Sequence, residues 1–269
     1  MAHAVLNSKQ LNSILANQER AIKWLMDVGL LKQQHQCQKC GGAMKLKKVA
    51  SGDQCRWICR KKTCTGTCSI RTGSIFFNSK CSLPYLTRLL FEWAHASTSA
   101  RATVEAGIDN IKTTIAWFAT HNRINATIGE VFLERTAVRS GPVLMAIAIR
   151  HVEPGTLIIT DCWRGYNGLR DSPFRHATVN HSRNFVDPND RSINTQRVEN
   201  VWRWLKSFLR RRGTNIRSNF DSYLAEWAFR REHRGQVFDQ LVAAIARQTA
   251  AGNIYVFFIS FSFSSPCAT

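Results

Sequence analysis

Two groups of side chains in this sequence are equipped for chemistry. The first is sulfur. Cys37-Gln-Lys-Cys40-Gly-Gly places two thiols on one tight turn, and "CRWICRKKTCTGTC" adds Cys55, Cys59, Cys64 and Cys68. Two short cysteine loops about 20 residues apart supply the four soft ligands of a tetrahedral zinc ion. The preferred set is Cys37, Cys40, Cys59 and Cys64, and Cys55 or Cys68 could replace either of the last two. Such a zinc is structural, because four thiolates leave no open position for water. Reduced, half-buried thiols without metal are the plainer alternative.

The second group is oxygen. Asp161 ends the run "TLIIT", and Glu199 opens the helical pattern "TQRVENVWRWLKSFLRRR", with Lys206 two turns further along the same face. A carboxylate at a strand end and another on a helix can share Mg2+ or Mn2+. Such ions activate a water or a 3′-hydroxyl for in-line phosphoryl transfer, and Lys206 would hold phosphate beside them. Taken singly, Asp161 reads as a helix cap. Glu199 and Lys206 read as a solvated face with a basic end at Arg210, Arg211 and Arg212.

Periodicity indicates the secondary structure on which these groups sit. Residues 10–34 repeat apolar side chains at helical spacing, and 35–81 are cysteine-rich, basic and punctuated by glycine, as in a small metal-stapled module. Three helices are predicted at "SLPYLTRLLFEWAHAS", "ARATVEAGI" and "IKTTIAWFATHNRI". The break "GIDN" suits a helix-turn-helix, with Val104, Ile108, Ile111, Ile115 and Phe118 at core-like spacings. Lys112, Thr113 and Thr114 would open its recognition helix. Beyond residue 129 the pattern predicts a strand at 130–134, a helix at 142–151, a strand at 156–160, a polar loop over 167–194, and helices at 195–211 and 220–249.

Charge indicates the partner. The chain has 269 residues and 37 Lys+Arg against 18 Asp+Glu, a net charge of +19. Residues 1–80 hold 14 basic and 3 acidic side chains, so more than half of that excess lies in the first third. A surplus of this kind suits a polyanion, since each neutralised phosphate releases condensed counterions. The opening residues are polar and amphipathic, without a secretory signal, so paired cysteines point to metal rather than disulfides. The apolar run "IYVFFISFSF" is shorter than the ~20 residues a bilayer span requires, and no membrane segment is expected.

Several motifs in order resemble one family. "CQKCGG", "WICRKKTC", "SIRTGS", "PGTLIITDCWRGYNGL", "TVNHSRNFVDPNDRSINTQRVENVWRWLK" and "YLAEWAFRR" are similar to the Merlin-type DDE transposases and their bacterial insertion-sequence relatives, over roughly residues 20–245. The resemblance implies a zinc ribbon, a helix-turn-helix region, and a ribonuclease-H-like core that cuts and rejoins transposon ends in DNA. It matches Asp161 to the second catalytic acid, Glu199 to the third, and Lys206 to the basic residue after it. His181 and Asn184 fall near that site without an assigned role.

The chain departs from the family at one place. The first catalytic Asp of the family belongs to an opening strand, but here "NRINATIG" runs straight into "EVFLERTAVRSGPVLMAIAIRHVEPGT". The opening strands are missing near Gly129 and Glu130, and Asp109, Glu130 and Glu134 are the only upstream acids within reach. The fold class expected is therefore α/β: a zinc-ribbon and helical DNA-binding region over 1–128, an incomplete ribonuclease-H-like mixed sheet with helices over 129–250, and an unrelated tail over 251–269. Structural Zn2+, catalytic Mg2+ or Mn2+ where cleavage survives, DNA and assembly into a homo-oligomer are the partners implied. The nucleus, or the cytoplasm in a bacterium, is the implied location.

Overall fold

The computed structural model describes residues 6–50, 52–128, 141–180, 183–184, 186–211 and 216–251. The predicted strand 130–134, Glu130, Glu134, His181, Arg212 and the tail from 252 lie outside them. The chain divides into two compact units, one of Met1–Ile128 with Ala228–Thr269, the other of Gly129–Trp227.

The first unit opens with two helices, α1 (Ser8–Leu15) and α2 (Gln18–Asp27). Asparagine divides them. Asn7 Oδ1 accepts the Gln10 N–H while Gln10 Oε1 accepts the Asn7 N–H, both at 2.9 Å, a reciprocal cap. Asn17 Oδ1 then accepts the Arg20 N–H at 3.0 Å and starts α2. Gly29 ends the α2 turn at φ +79°, and a Cβ there would lie 2.9 Å from the Ala246 Cβ, so only glycine fits.

Three short strands come next: β1 (Met44–Lys48), β2 (Cys55–Cys59) and β3 (Thr67–Ser69), an antiparallel sheet in that order. Its register sets Met44 against Cys59, Lys48 against Cys55, and Trp57 against Cys68. The ribbon is not a free-standing module. Met44, Trp57, Ile70 and Phe76 join Leu25, Leu30, Leu86 and Leu89 in one continuous core. Arg71 fastens the β1–β2 turn to the segment before the next helix. Its guanidinium holds Asp53 at 2.5 and 2.7 Å and donates to the carbonyls of Ser79 and Cys81.

The three predicted helices are present as α3 (Leu83–Ala94), α4 (Ser99–Glu105) and α5 (Ile111–Ile128). Ser82 and Thr98 cap the first two through the N–H groups of Tyr85 and Arg101. Their packing differs from expectation. Val104 is 80% exposed and Ile111 and Ile115 are exposed, whereas Ala102, Thr103, Ala106 and Thr114 are buried beside Phe118. Small side chains let α4 and α5 approach closely, and the hydroxyls of Thr103 and Thr114 hydrogen-bond at 2.8 Å. Thr114 is thus unavailable for reading DNA, while Lys112 is exposed. His121 is buried among Trp93, Trp117 and Phe118, and burial pushes its pKa down to about 3, so the ring is neutral.

The C-terminal helix α9 (Val237–Ala251) packs on α3 and α5. Arg230 completes the unit by donating to the carbonyls of Trp93 and Ala94, at the C-terminal end of α3, with its guanidinium 4.2 Å over the Trp93 ring.

The second unit contains helix α6 (Gly141–His151), strand β4 (Leu157–Asp161), the 3-10 helix Arg164–Asp171, strand β5 (Arg175–Val179) and helix α7 (Gln196–Arg210). Helix α8 (Ile216–Glu232) begins in this unit and ends in the first. β4 and β5 pair in parallel, with Asp161 against Val179. The region expected to be a polar loop over 167–194 therefore contains a strand and most of a 3-10 helix. β4 is only half-buried: Thr160 is covered, and Leu157 is exposed. No described helix is long and apolar enough to cross a membrane.

Candidate metal centre and carboxylate site

The candidate metal centre is built by two turns that meet at one end of the ribbon sheet. In the first, the Gly41 N–H donates to the Cys37 carbonyl and the Cys37 N–H to the Gly42 carbonyl, each at 2.8 Å. Gly41 takes φ +68°, which lets the chain fold back behind Cys40. In the second, Cys59 ends β2, its N–H donates to the Gly66 carbonyl at 2.9 Å, and the Cys64 N–H donates to the Lys61 carbonyl at 3.0 Å.

Together these turns bring Cys37, Cys40, Cys59 and Cys64 within 4.8 Å of one another at sulfur. Cys37 and Cys64 are 3.6 Å apart and Cys40 and Cys59 are 3.5 Å apart. A tetrahedral ion with bonds of about 2.3 Å spaces its sulfurs by about 3.8 Å, so the donor set fits zinc closely. Space has been left for those sulfurs: a Cβ on Gly66 would collide with Cys37 Sγ and sit 3.4 Å from Cys64 Sγ.

Cys55 and Cys68 do not belong to the set. Cys55 lies opposite Lys48, four residues along β2 from Cys59, which is about 13 Å of strand. Cys68 Sγ packs 3.8 Å from His35 Nδ1 and Met44 Sδ instead.

The clustered thiols are electrostatically unequal. The Lys39 backbone N–H aimed at Cys37 lowers its pKa to about 7, against the opposing effect of desolvation. At Cys59 the Lys61 N–H pulls the same way but is outweighed by desolvation and the neighbouring thiols, and the pKa is pushed up to about 12. One thiolate forms readily and discourages the rest. Four thiolates this close require a cation. Lys39, Lys45, Lys47, Arg56, Arg60, Lys61 and Lys62 are exposed around this end of the chain.

The carboxylates lie in the second unit. Asp161 is exposed at the carboxyl end of β4, beside the matching end of parallel β5. Its Oδ1 accepts the Trp163 N–H at 3.1 Å, a local turn at the mouth of the 3-10 helix. Desolvation, and after it the Asp161 carboxylate, raises the Tyr166 phenol above its usual range. Glu199 is exposed in the first turn of α7, where its Oε1 accepts the Thr195 hydroxyl at 2.7 Å. Lys206 is exposed on the same helix. Among the described residues no further group of three His, Cys, Asp or Glu ligands assembles, and Asp161 and Glu199 belong to no such group. Sequence reasoning missed Gly66 and Thr195. A glycine two residues after Cys64 and a threonine four before Glu199 were the available signals.

Residues 95–232 match the ISXO2-like transposase domain, just over half of the chain. The class is thus the insertion-sequence transposase family, the one that the ordered motifs resemble. The chain belongs to the ISXO2-like transposase domain family. It is 29% identical over 113 residues to an uncharacterized transposase-like protein of Haemophilus influenzae, covering 41% of this chain and 85% of that relative. No solved structure matches it. The four-cysteine centre precedes the matched segment.

Proposed function

We propose that this chain is a DNA-binding protein of transposase descent whose strand-cleavage chemistry is impaired. The observation that carries the reading is the transposase-domain match over 95–232, which contains both Asp161 and Glu199. The net charge of +19 supports a polyanionic partner. The four-thiol cluster supports a structural zinc that stiffens the basic ribbon. In this reading the second unit is a shortened ribonuclease-H-like core, α7 supplies Glu199 and Lys206, and β4 supplies Asp161. Mg2+ or Mn2+ would be held by Asp161 and Glu199 in the complete lineage site. Two carboxylates neutralise and coordinate a pair of divalent ions poorly, so no cleavage step is assigned to this chain. DNA binding then persists without the acids, and copies of the chain would assemble on the DNA.

Fluorescence anisotropy with labelled duplex DNA tests this. Asp161→Asn is expected to bind as the parent does, and Cys37→Ser to bind at least tenfold more weakly, on the order of the 1.4 kcal/mol that a decade in affinity represents. A parent protein with no salt-sensitive affinity for DNA contradicts the proposal.

A further inference from the structure

Positive charge is not spread evenly over the first unit. On one side of Leu46 a cleft of about 750 Å³ runs between α2 and the β1–β2 hairpin, where Glu19, Asp27 and Asp53 offset Lys23, Lys47 and Lys48. Glu19 and Lys48 pair directly across it. On the other side of Leu46 lies a second cleft, of about 940 Å³, between the segment after α2 and the ribbon. Lys32, Lys45 and Arg60 line it, and no carboxylate does.

None of these three cations has an ion-pair partner among the described residues. Arg60 is held at the rim by its own N–H, which donates to the Ala43 carbonyl at 3.1 Å. The Lys32 ammonium lies over Gly73, where a Cβ would come within 2.9 Å of Nζ. Trp57 also lines the cleft, but its indole nitrogen is buried and is not offered to it. The cleft therefore presents donors and positive charge with nothing in the described structure to offset them. Like charges gathered in a concave wall repel one another and raise the local concentration of anions.

We infer that this cleft, bounded by Lys32, Lys45 and Arg60, seats the phosphodiester backbone of duplex DNA. The inference deepens the DNA-binding reading above and rests on it. Arg60 can fork two phosphate oxygens while the lysines act as point charges. A single phosphate fills only a small part of 940 Å³, and several backbone phosphates fill more of it. Contacts of this type position the protein on DNA without reading bases.

The test compares the full-length parent with Lys32→Gln/Lys45→Gln and with the triple variant that adds Arg60→Gln, by anisotropy with duplexes of two unrelated sequences across a salt series. Because Arg60 adjoins Cys59, zinc content is measured on each preparation, and the double variant alone must show the effect. Each substitution is expected to reduce the slope of log affinity against log salt by about 0.9, equally for both duplexes. Lys23→Gln/Lys48→Gln, in the acid-lined cleft, should leave the slope unchanged. A parent that binds DNA alongside a double variant with the parent slope overturns the cleft and leaves the DNA reading standing. A parent that does not bind DNA overturns both. Calorimetry with inorganic phosphate separates the sources: phosphate binding abolished in the double variant, with its DNA slope unchanged, marks a small-anion site and also overturns the inference.

Discussion

Removing zinc is expected to unfold the ribbon. Structural zinc in four-ligand sites is worth about 10–16 kcal/mol at neutral pH, comparable to the whole stability of an ordinary domain, about 5–15 kcal/mol. Cys37, Cys40, Cys59 and Cys64 form a set whose sulfurs already stand at nearly tetrahedral spacing. A purified preparation should contain one zinc per chain, and a strong chelator should remove it with loss of the ribbon strands. Because Met44 and Trp57 belong to the core shared with α2 and α3, the melting temperature of the helices should fall as well. Cys59→Ser should lose the metal, and Cys55→Ser and Cys68→Ser should keep it. Binding displaces thiol protons, so affinity should weaken as pH falls. Retention of zinc in Cys59→Ser together with loss in Cys55→Ser contradicts the assignment, as does an affinity no tighter than micromolar.

Arg88→Met should be the most damaging single change away from the metal. Arg88 lies on α3, 7% exposed, and its guanidinium pairs with Glu92 at 2.9 Å and Glu105 at 3.2 Å. It also donates to Asn12 Oδ1 at 2.7 Å and Ser8 Oγ at 3.0 Å, tying α1 to α3. Methionine fills much of the volume but leaves Glu92, 4% exposed, as a buried charge whose remaining side-chain partner among the described residues is the Ser97 hydroxyl at 2.5 Å. Breaking one side of such a pair costs about 3–5 kcal/mol, or a fall in melting temperature of about 10 °C for a unit of this size. Arg88→Met/Glu92→Leu should recover a large part of that loss, since replacing both partners removes the stranded charge. Urea melts in excess zinc measure both. A single variant within about 0.5 kcal/mol of the parent shows that the network is not stabilising.

Local chemistry was the legible part of this sequence. The three helices after residue 82 were readable from apolar spacing and the paired cysteines pointed to a metal site, whereas the break at Asn17, whose side chain caps α2, was not readable in the helical pattern of residues 10–34. Spacing could not decide between Cys55, Cys59, Cys64 and Cys68. The β1–β2 register sets Cys55 aside by carrying it to the far end of the strand from Cys59, and Cys68 is set aside by its contacts with His35 and Met44. Apolar periodicity misled in the helix-turn-helix region, where Val104, Ile111 and Ile115 face outward and small residues make the helix contact. β5 passed for loop because Arg175, His176 and Thr178 leave Val179 as its one strongly apolar side chain. The placement of α9 against α3 and α5 is tertiary, and no periodicity encodes it. At the carboxylate site the strand-end position of Asp161 was readable, but its turn with Trp163 and the Thr195–Glu199 hydrogen bond were not.

Above all, this member of a transposase family is proposed to hold DNA without cutting it. The decisive measurement incubates the zinc-loaded protein with supercoiled plasmid in Mg2+ or Mn2+ and quantifies nicked product beside Asp161→Asn and Glu199→Gln. The parent is expected to produce no more nicking than either variant or a metal-free control, under conditions where all three proteins bind the DNA. Metal-dependent nicking by the parent that disappears in both variants would contradict the proposal.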